Sequence, residues 1–123
     1  MREKSDWEKI EEILREDKRY KPNAYFFVLA ALRYEIDRLK KKRHITGKEL
    51  ARAIKDLAIR EYGPMAKTVL NSWGIYKTDD FGEIVFNMVD KGLLTKQDKD
   101  KKEDFHNLFD FDEVFLEKYP WGK

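Results

Sequence analysis

The chain of 123 residues has no cysteine and one glutamine. Without cysteine it can form no disulfide, no thiolate metal site and no cysteine nucleophile. Its longest apolar run, residues 24–32, has nine residues, whereas a membrane-spanning helix needs about 20. The first nine residues, MREKSDWEK, contain no apolar core of the kind that a signal peptide needs. These absences predict a cytoplasmic protein that does not enter a membrane.

Neither sign of charge dominates, because the chain has 26 Lys+Arg residues and 24 Asp+Glu residues. A net charge of +2 favours neither nucleic acid nor a membrane surface as the partner. Lysine supplies 18 of the 26 cations, a composition seen in heat-adapted proteins, although a lysine-rich mesophilic protein fits it equally well. Apolar residues make up 41% of the chain, enough for one core, and the length predicts a single domain over residues 1–123.

Capping residues, glycines and prolines predict five helices. Ser5 with Glu8, and Thr46 with Glu49, have the spacing of capping boxes at helix starts. Glycine followed by an apolar residue, as at Gly74, is typical of a helix end. The predicted order is an N-terminal helix in 5–18, two helices in 22–62, a helix-turn-helix with a possible wing in 64–111, and a C-terminal tail in 112–123.

The fifth predicted helix, Thr78 to Lys91, is amphipathic, and Thr78 is its expected cap. Its inner face is expected to hold five apolar residues, namely Phe81, Ile84, Val85, Met88 and Val89. The first turn contains Asp79, Asp80 and Glu83. Capping and the helix dipole explain these carboxylates better than general acid–base catalysis, because a helix N-terminus keeps them ionised.

The segment after Gly92 loses the helical period and contains two short apolar stretches. Leu93–Lys96 and Phe105–Phe111 flank a charged loop and predict two strands, with irregular structure as the open alternative. Helix, turn, helix, strand, loop and strand is the order of a winged helix-turn-helix. The expected fold is therefore mainly α, a compact helical domain that is winged-helix-like with a short C-terminal β-hairpin.

Three sequence motifs carry a resemblance to a known family. GPMA, WGI and DFGEIVFN lie within the longer segments TGKELARAIKDLAIREYGPMAKTVLNSWGI and TDDFGEIVFNMVDKGLLTK. With the FDFDE element that follows, they resemble a family of small uncharacterised bacterial proteins. The resemblance covers about residues 20–115 and leaves out the first helix and the YPWGK tail. It implies family membership, and it implies no activity.

Nucleic-acid binding is what the winged-helix order suggests, but the charges oppose it. The fifth helix would be the recognition helix, and it carries four acids against Lys91 alone. Acids at that position repel phosphates and base edges. The remaining nucleic-acid candidate is a basic run of five residues, namely Arg38, Lys40, Lys41, Lys42 and Arg43. Cations at a solvated helix C-terminus are the favoured explanation of this run, because they complement the helix dipole.

Catalytic, metal-binding and cofactor-binding patterns are not found. His44 and His106 are the only histidines, and neither lies in a zinc-binding motif. Ser5 is an expected cap, and Ser72 lies outside any nucleophile elbow. No glycine-rich phosphate-binding loop occurs. We therefore expect no catalytic residue, no metal, no cofactor and no small-molecule substrate.

A protein partner is the preferred prediction, because several residues fall outside the expected core. Phe86 lies opposite the inner face of the fifth helix and is expected to be exposed. The candidate partner-binding residues are Trp73, Tyr76, Phe86, Asn87, Tyr119 and Trp121. The sequence thus predicts a non-catalytic protein-interaction or adaptor module, including self-association through the fifth helix and the aromatic tail. The alternative is a nucleic-acid-binding winged-helix protein that uses residues 38–43, and an enzyme without a recognisable motif comes third.

Overall fold

A computed structural model describes residues 4–40 and 43–117. These residues form five α-helices, namely α1 (Asp6–Glu16), α2 (Pro22–Leu39), α3 (Gly47–Tyr62), α4 (Ala66–Ser72) and α5 (Thr78–Asp90). Three single turns complete the described chain, namely the 3-10 turns Gly63–Met65 and Lys102–Phe105 and the π-helical turn Glu113–Glu117. The expectation of a mainly α protein is confirmed.

The starts of α1 and α3 form by local side-chain capping. The Ser5 hydroxyl accepts a hydrogen bond from the Glu8 N–H (3.2 Å), and the Glu8 carboxylate accepts one from the Ser5 N–H (2.9 Å). Thr46 and Glu49 repeat this exchange at 3.2 and 2.9 Å. Both capping boxes are therefore present, as their spacing predicts.

The ends of α4 and α5 are Schellman motifs built on glycine. Gly74 has a φ of +94°, and the N–H of Ile75 donates to the Leu70 carbonyl (3.0 Å). Gly92 has a φ of +79°, and the N–H of Leu93 donates to the Met88 carbonyl (2.9 Å). Left-handed backbone is accessible to glycine without steric cost, which explains why these helices end where they do.

The core lies where α2 meets α3 and α5. Tyr25 and Val28 of α2, Ile54 of α3, and Phe81 and Ile84 of α5 are fully buried. α1 packs across α2 and α5 from outside, and α4 and the π-helical turn close the far side of α3. Burial of this one contiguous cluster is what holds the five helices together.

The prediction of a winged helix with a C-terminal β-hairpin is wrong, because no strand occurs among the residues that the structure describes. The backbone groups of residues 93–111 form hydrogen bonds within the segment and to α5, and none of those described joins a neighbouring strand. The Thr78 hydroxyl donates to the Phe105 carbonyl (2.6 Å) and accepts from the Leu108 N–H (3.0 Å). Asn107, between them, has a φ of +49°, which a regular strand does not permit.

Thr78 is consequently not the cap of α5, which is a second correction. Lys77 occupies the N-cap position, and Thr78 is the first, fully buried residue of the helix. Asp80 fills the capping role, because its carboxylate accepts from the N–H groups of Tyr76 (2.8 Å) and Lys77 (3.2 Å). Asp80 also accepts a hydrogen bond from the buried Tyr20 hydroxyl (2.6 Å), which ties α5 to the α1–α2 linker.

Candidate partner-binding groove

A groove with a volume of about 780 Å³ opens between α2, α5, the loop before α3 and residues 94–105. This volume lies within the range of about 300–1,000 Å³ that is typical of ligand sites. We call it the α2–α5 groove. A smaller depression of about 300 Å³ lies between residues 76–79 and 106–111.

The floor of the α2–α5 groove is apolar. Leu32 and Ile36 lie one turn apart on α2, and Val85, Phe86 and Val89 lie on α5. All five side chains are half-buried, and three of them, Leu32, Val85 and Phe86, also pack against the core. No element of the described residues covers this surface.

One end of the groove is closed by contacts between its two loops. Nε2 of His44 lies 2.7 Å from Oδ2 of Asp100, at an angle outside hydrogen-bond geometry. Arg43 donates to both carboxylate oxygens of Glu49, at 3.1 and 2.7 Å, and so fixes the first loop to the start of α3. The hydrogen bonds from Arg43 and from the Thr46 N–H lower the pKa of Glu49 to about 2.

The charges on the rim are unevenly paired. Arg33 on α2, and Lys96 and Lys101 on the opposite loop, form no ion pair with an acid in the described part of the chain. Two of the rim acids are bound to backbone, since Asp100 accepts from the Gln97 N–H (2.8 Å) and Asp104 from the Lys101 N–H (3.0 Å). A hydrogen bond from a backbone N–H does not remove the charge of a carboxylate, so the rim carries three acids beside its three unpaired cations.

Phe86 and Asn87 were predicted to contact a partner, and only Phe86 reaches the groove. Phe86 is half-buried and not exposed, because residues 94–105 run alongside α5 and form the opposite wall. The side-chain amide of Asn87 instead donates to Asp17 (3.0 Å) and to the Tyr25 hydroxyl (3.1 Å). Asn87 thus ties α5 to α2 and to the end of α1.

The aromatic partner candidates that the structure describes outside α5 do not come together. Trp73 is half-buried against Phe27 and Tyr62, with ring centroids 5.4 and 5.9 Å apart. Tyr76 is 64% exposed and borders the smaller depression, away from the α2–α5 groove. The two other candidates lie outside the described residues, namely Tyr119 and Trp121.

The basic run is partly committed to intramolecular ion pairs. Arg38 donates to both oxygens of the Glu35 carboxylate, at 2.9 and 3.0 Å, and Arg43 is bound to Glu49. Lys40 is exposed, and its left-handed backbone (φ 57°) ends α2. The two remaining cations lie outside the described residues, namely Lys41 and Lys42.

The smaller depression contains a histidine–aspartate pair. Nδ1 of His106 lies 2.6 Å from Oδ2 of Asp79, and the Asn107 N–H also donates to this carboxylate (3.2 Å). The hydrogen bond with His106 lowers the pKa of Asp79. The nearby Thr78 hydroxyl is buried and already has two partners, so it is not placed as a nucleophile. Within 4–40 and 43–117, no three His, Cys, Asp or Glu residues cluster as metal ligands.

Sequence reasoning missed the groove because it placed most of the floor in the core. Val85 and Val89 were predicted on the inner face of the fifth helix, and Leu32 lies in the longest apolar run of the chain. The available signal is the width of the apolar surface on α5, where Phe86 adds to five apolar positions. An apolar arc that wide exceeds what one neighbouring helix covers.

Comparison with protein-family models, with curated proteins and with solved structures finds no match. The resemblance to a family of small bacterial proteins therefore stays a prediction. Among the helices of the described ranges, none combines the length and apolarity that crossing a bilayer requires.

Proposed function

We propose that this protein is a non-catalytic interaction module that binds a segment of a partner protein in the α2–α5 groove. The observation that carries the proposal is the uncovered apolar floor formed by Leu32, Ile36, Val85, Phe86 and Val89. An apolar surface framed by charged residues is typical of a protein-interaction site. The proposal includes no catalytic step, metal or cofactor.

The shape of the floor supports binding of a peptide segment. Leu32 and Ile36 on α2 line the groove together with Val85 and Val89 on α5, and the two residues of each pair are one helical turn apart. A furrow between two packed helices accepts the apolar side chains of an amphipathic segment, which recur every three or four residues. A cytoplasmic location is part of the same proposal and rests on the sequence features described above.

Nucleic-acid binding by residues 38–43 is the alternative, and it has less support. Glu35 and Glu49 already neutralise Arg38 and Arg43 through paired hydrogen bonds. A guanidinium held in this way must break an internal ion pair before it contacts a phosphate.

Selection from a random peptide library, followed by fluorescence anisotropy with the enriched peptides, tests the proposal. We expect Val89→Glu to weaken binding at least tenfold, about 1.4 kcal/mol, because it places a charge on the apolar floor. Ala30→Glu is the matched control, since it adds the same charge to the exposed side of α2 outside the groove.

Thermal unfolding shows whether both variants are folded. If Val89→Glu does not fold, Leu32→Ala and Val85→Ala truncate the same floor without adding a charge, and the same loss is expected. Peptides that bind all these variants as tightly as the original chain would overturn the proposal.

A further inference from the structure

The loop at residues 95–100 forms part of one wall of the α2–α5 groove and has one polar attachment to the rest of the described chain. Its described hydrogen bonds are internal, such as those from the Gln97 N–H to Asp100 (2.8 Å) and from the Asp100 N–H to the Gln97 carbonyl (2.9 Å). The attachment is the contact between Asp100 and His44, which lies on the loop before α3. Asp100 is also the one residue of 95–100 that is not exposed.

The geometry of this contact favours a charged histidine. The His44 side chain is 27% exposed and that of Asp100 is 16% exposed, and Nε2 of His44 lies 2.7 Å from Oδ2 of Asp100. Nε2 is itself buried, and no hydrogen bond within the described chain satisfies it. A protonated ring is attracted to the carboxylate by charge at this distance. A neutral ring places a lone pair or a misaligned N–H against the carboxylate, so that the buried nitrogen is left uncompensated for its lost hydration.

His44 is the one histidine among the described residues that line the groove. Histidine ordinarily changes charge between about pH 5 and 8, whereas carboxylates, lysines and arginines ordinarily titrate outside this range. The other charged side chains around the groove are all of the latter types, namely Arg33 and Asp37 of α2, Arg43 with its partner Glu49 of α3, and Lys96, Lys101 and Asp104 of the opposite wall. A change of pH within this range therefore acts on the contact through His44.

We infer that His44 and Asp100 form a pH-sensitive latch, which holds the 95–100 loop in place as a wall of the α2–α5 groove. At low pH the imidazolium is attracted to the Asp100 carboxylate, and the loop is held. At high pH the neutral ring releases Asp100, the loop moves away, and the groove loses part of this wall. The effect on binding rests on the proposed function, because a partner segment that contacts this wall then binds more weakly.

A spin label on the loop tests the latch without any partner. Because the chain has no cysteine, Lys99→Cys provides one attachment point for a nitroxide, at an exposed position that does not line the groove. We expect the electron paramagnetic resonance spectrum to show restricted motion at about pH 5.5 and faster motion at about pH 8, towards the two ends of the range in which histidines ordinarily change charge. A spectrum that is the same at both pH values would overturn the inference.

Three further variants of the labelled chain assign the response to this contact. Asp100→Asn keeps an acceptor for the Gln97 N–H and removes the charge, whereas His44→Gln removes the titrating ring. Each should show fast motion at both pH values, and either one decides if thermal unfolding shows that the other is not folded. His106→Gln is the matched control, because it removes the chain's other histidine, in the smaller depression, and should leave the response unchanged. A response that Asp100→Asn retains, or that His106→Gln abolishes, would overturn the latch.

Peptide binding separates this inference from the proposed function. A selected peptide that depends on Val89, contains no histidine and has an acetylated N-terminus should bind the original chain about threefold more weakly at about pH 8 than at about pH 5.5. It should bind the Asp100→Asn variant equally at both pH values. Equal affinities for the original chain would overturn control of the groove by the latch and leave the groove function intact. If no Val89-dependent peptide is found, the proposed function fails, and the spin label still decides whether the latch exists.

Discussion

Glu35 is a carboxylate that the fold buries, with 3% of its side chain exposed. Its two oxygens accept hydrogen bonds from Arg38, one turn further along α2. A buried carboxylate without a partner is strongly destabilising, because it loses its hydration and gains nothing in return. Arg38, predicted as part of a nucleic-acid-binding run, therefore has a structural role as the counter-ion of Glu35.

Replacing Arg38 tests this role. We expect Arg38→Met to lower the thermal unfolding midpoint by several degrees, because it leaves the Glu35 carboxylate buried without its cation. Arg33→Met is the matched control on the same helix and should leave the midpoint nearly unchanged, since Arg33 is exposed. Circular dichroism measures both unfolding midpoints. Equal shifts of the midpoint in the two variants would contradict the structural role of Arg38.

Glu49 makes the stability of α3 depend on pH. Its pKa is lowered from 4.5 to about 2 in the folded protein by hydrogen bonds from Arg43 and Thr46. A lowered pKa means that the carboxylate stabilises the fold above pH 4.5 and that this contribution is lost as the pH falls towards 2.

We therefore expect Glu49→Gln to cost about 1–2 kcal/mol at neutral pH, measured by urea unfolding, and much less near pH 3. Glutamine retains the acceptor of the capping box and removes the charge. The part of the cost that depends on pH therefore reports on the ion pair alone. A cost that is the same at both pH values would show that the charge contributes nothing.

At the scale of the elements, two helix ends share one motif in different surroundings. Gly74 and Gly92 both have left-handed backbone, but only Gly74 is enclosed. A Cβ at Gly74 would collide with the Arg19 carbonyl oxygen, whereas one at Gly92 would meet only the Lys9 ammonium at 3.9 Å. The turn at Gly74 is also fixed by a hydrogen bond from the Lys21 N–H to the Trp73 carbonyl (3.1 Å).

Replacing each of these glycines with alanine separates the cost of left-handed backbone from the cost of a steric collision. Gly92→Ala should cost about 1 kcal/mol, the strain of left-handed alanine, while Gly74→Ala should cost about 3 kcal/mol or more. Urea unfolding at neutral pH measures both values. If the two costs agree within error, the close approach to the Arg19 carbonyl does not contribute to the free energy of unfolding.

Thr78 connects α5 to the segment that was predicted to be a hairpin. Its buried hydroxyl satisfies the Phe105 carbonyl and the Leu108 N–H together. We expect Thr78→Val to cost about 2 kcal/mol in urea unfolding, because it leaves two buried backbone groups without a partner. Thr78→Ser keeps the hydroxyl and should cost less, and a serine variant as unstable as the valine variant would contradict this explanation.

At the scale of the whole molecule, two charged surfaces differ in composition. The groove rim carries both cations and acids, whereas the basic run favours a phosphate backbone. Substitutions of Lys41 and Lys42 test nucleic-acid binding by the basic run without removing the ion pairs of Arg38 and Arg43.

We expect Lys41→Glu with Lys42→Glu to leave retention on a duplex DNA column unchanged at about 50 mM salt, where electrostatic binding is strong. Lys96→Glu with Lys101→Glu is the control for a general loss of positive charge. Retention that only the first pair abolishes would favour the alternative function.

The starts of α1 and α3 and the ends of α4 and α5 were predictable from the sequence, because the interactions that define them act within a few residues, whereas the start of α5 was not. The capping boxes at Ser5 and Thr46 and the Schellman motifs at Gly74 and Gly92 all form as their spacing predicts. The mainly α character follows from the same local signals, together with the helical period of the apolar residues.

Only the tertiary structure decided what residues 93–111 do and where the apolar surface stays open. Phe105 finds its hydrogen-bond partner on Thr78, 27 residues earlier, and no local pattern specifies such a pairing. Val85 and Val89 look like core positions in sequence, because hydrophobicity fixes which side of a helix turns inward. Whether another element covers that side depends on how the whole chain packs, and here the neighbouring loop leaves it open as a groove.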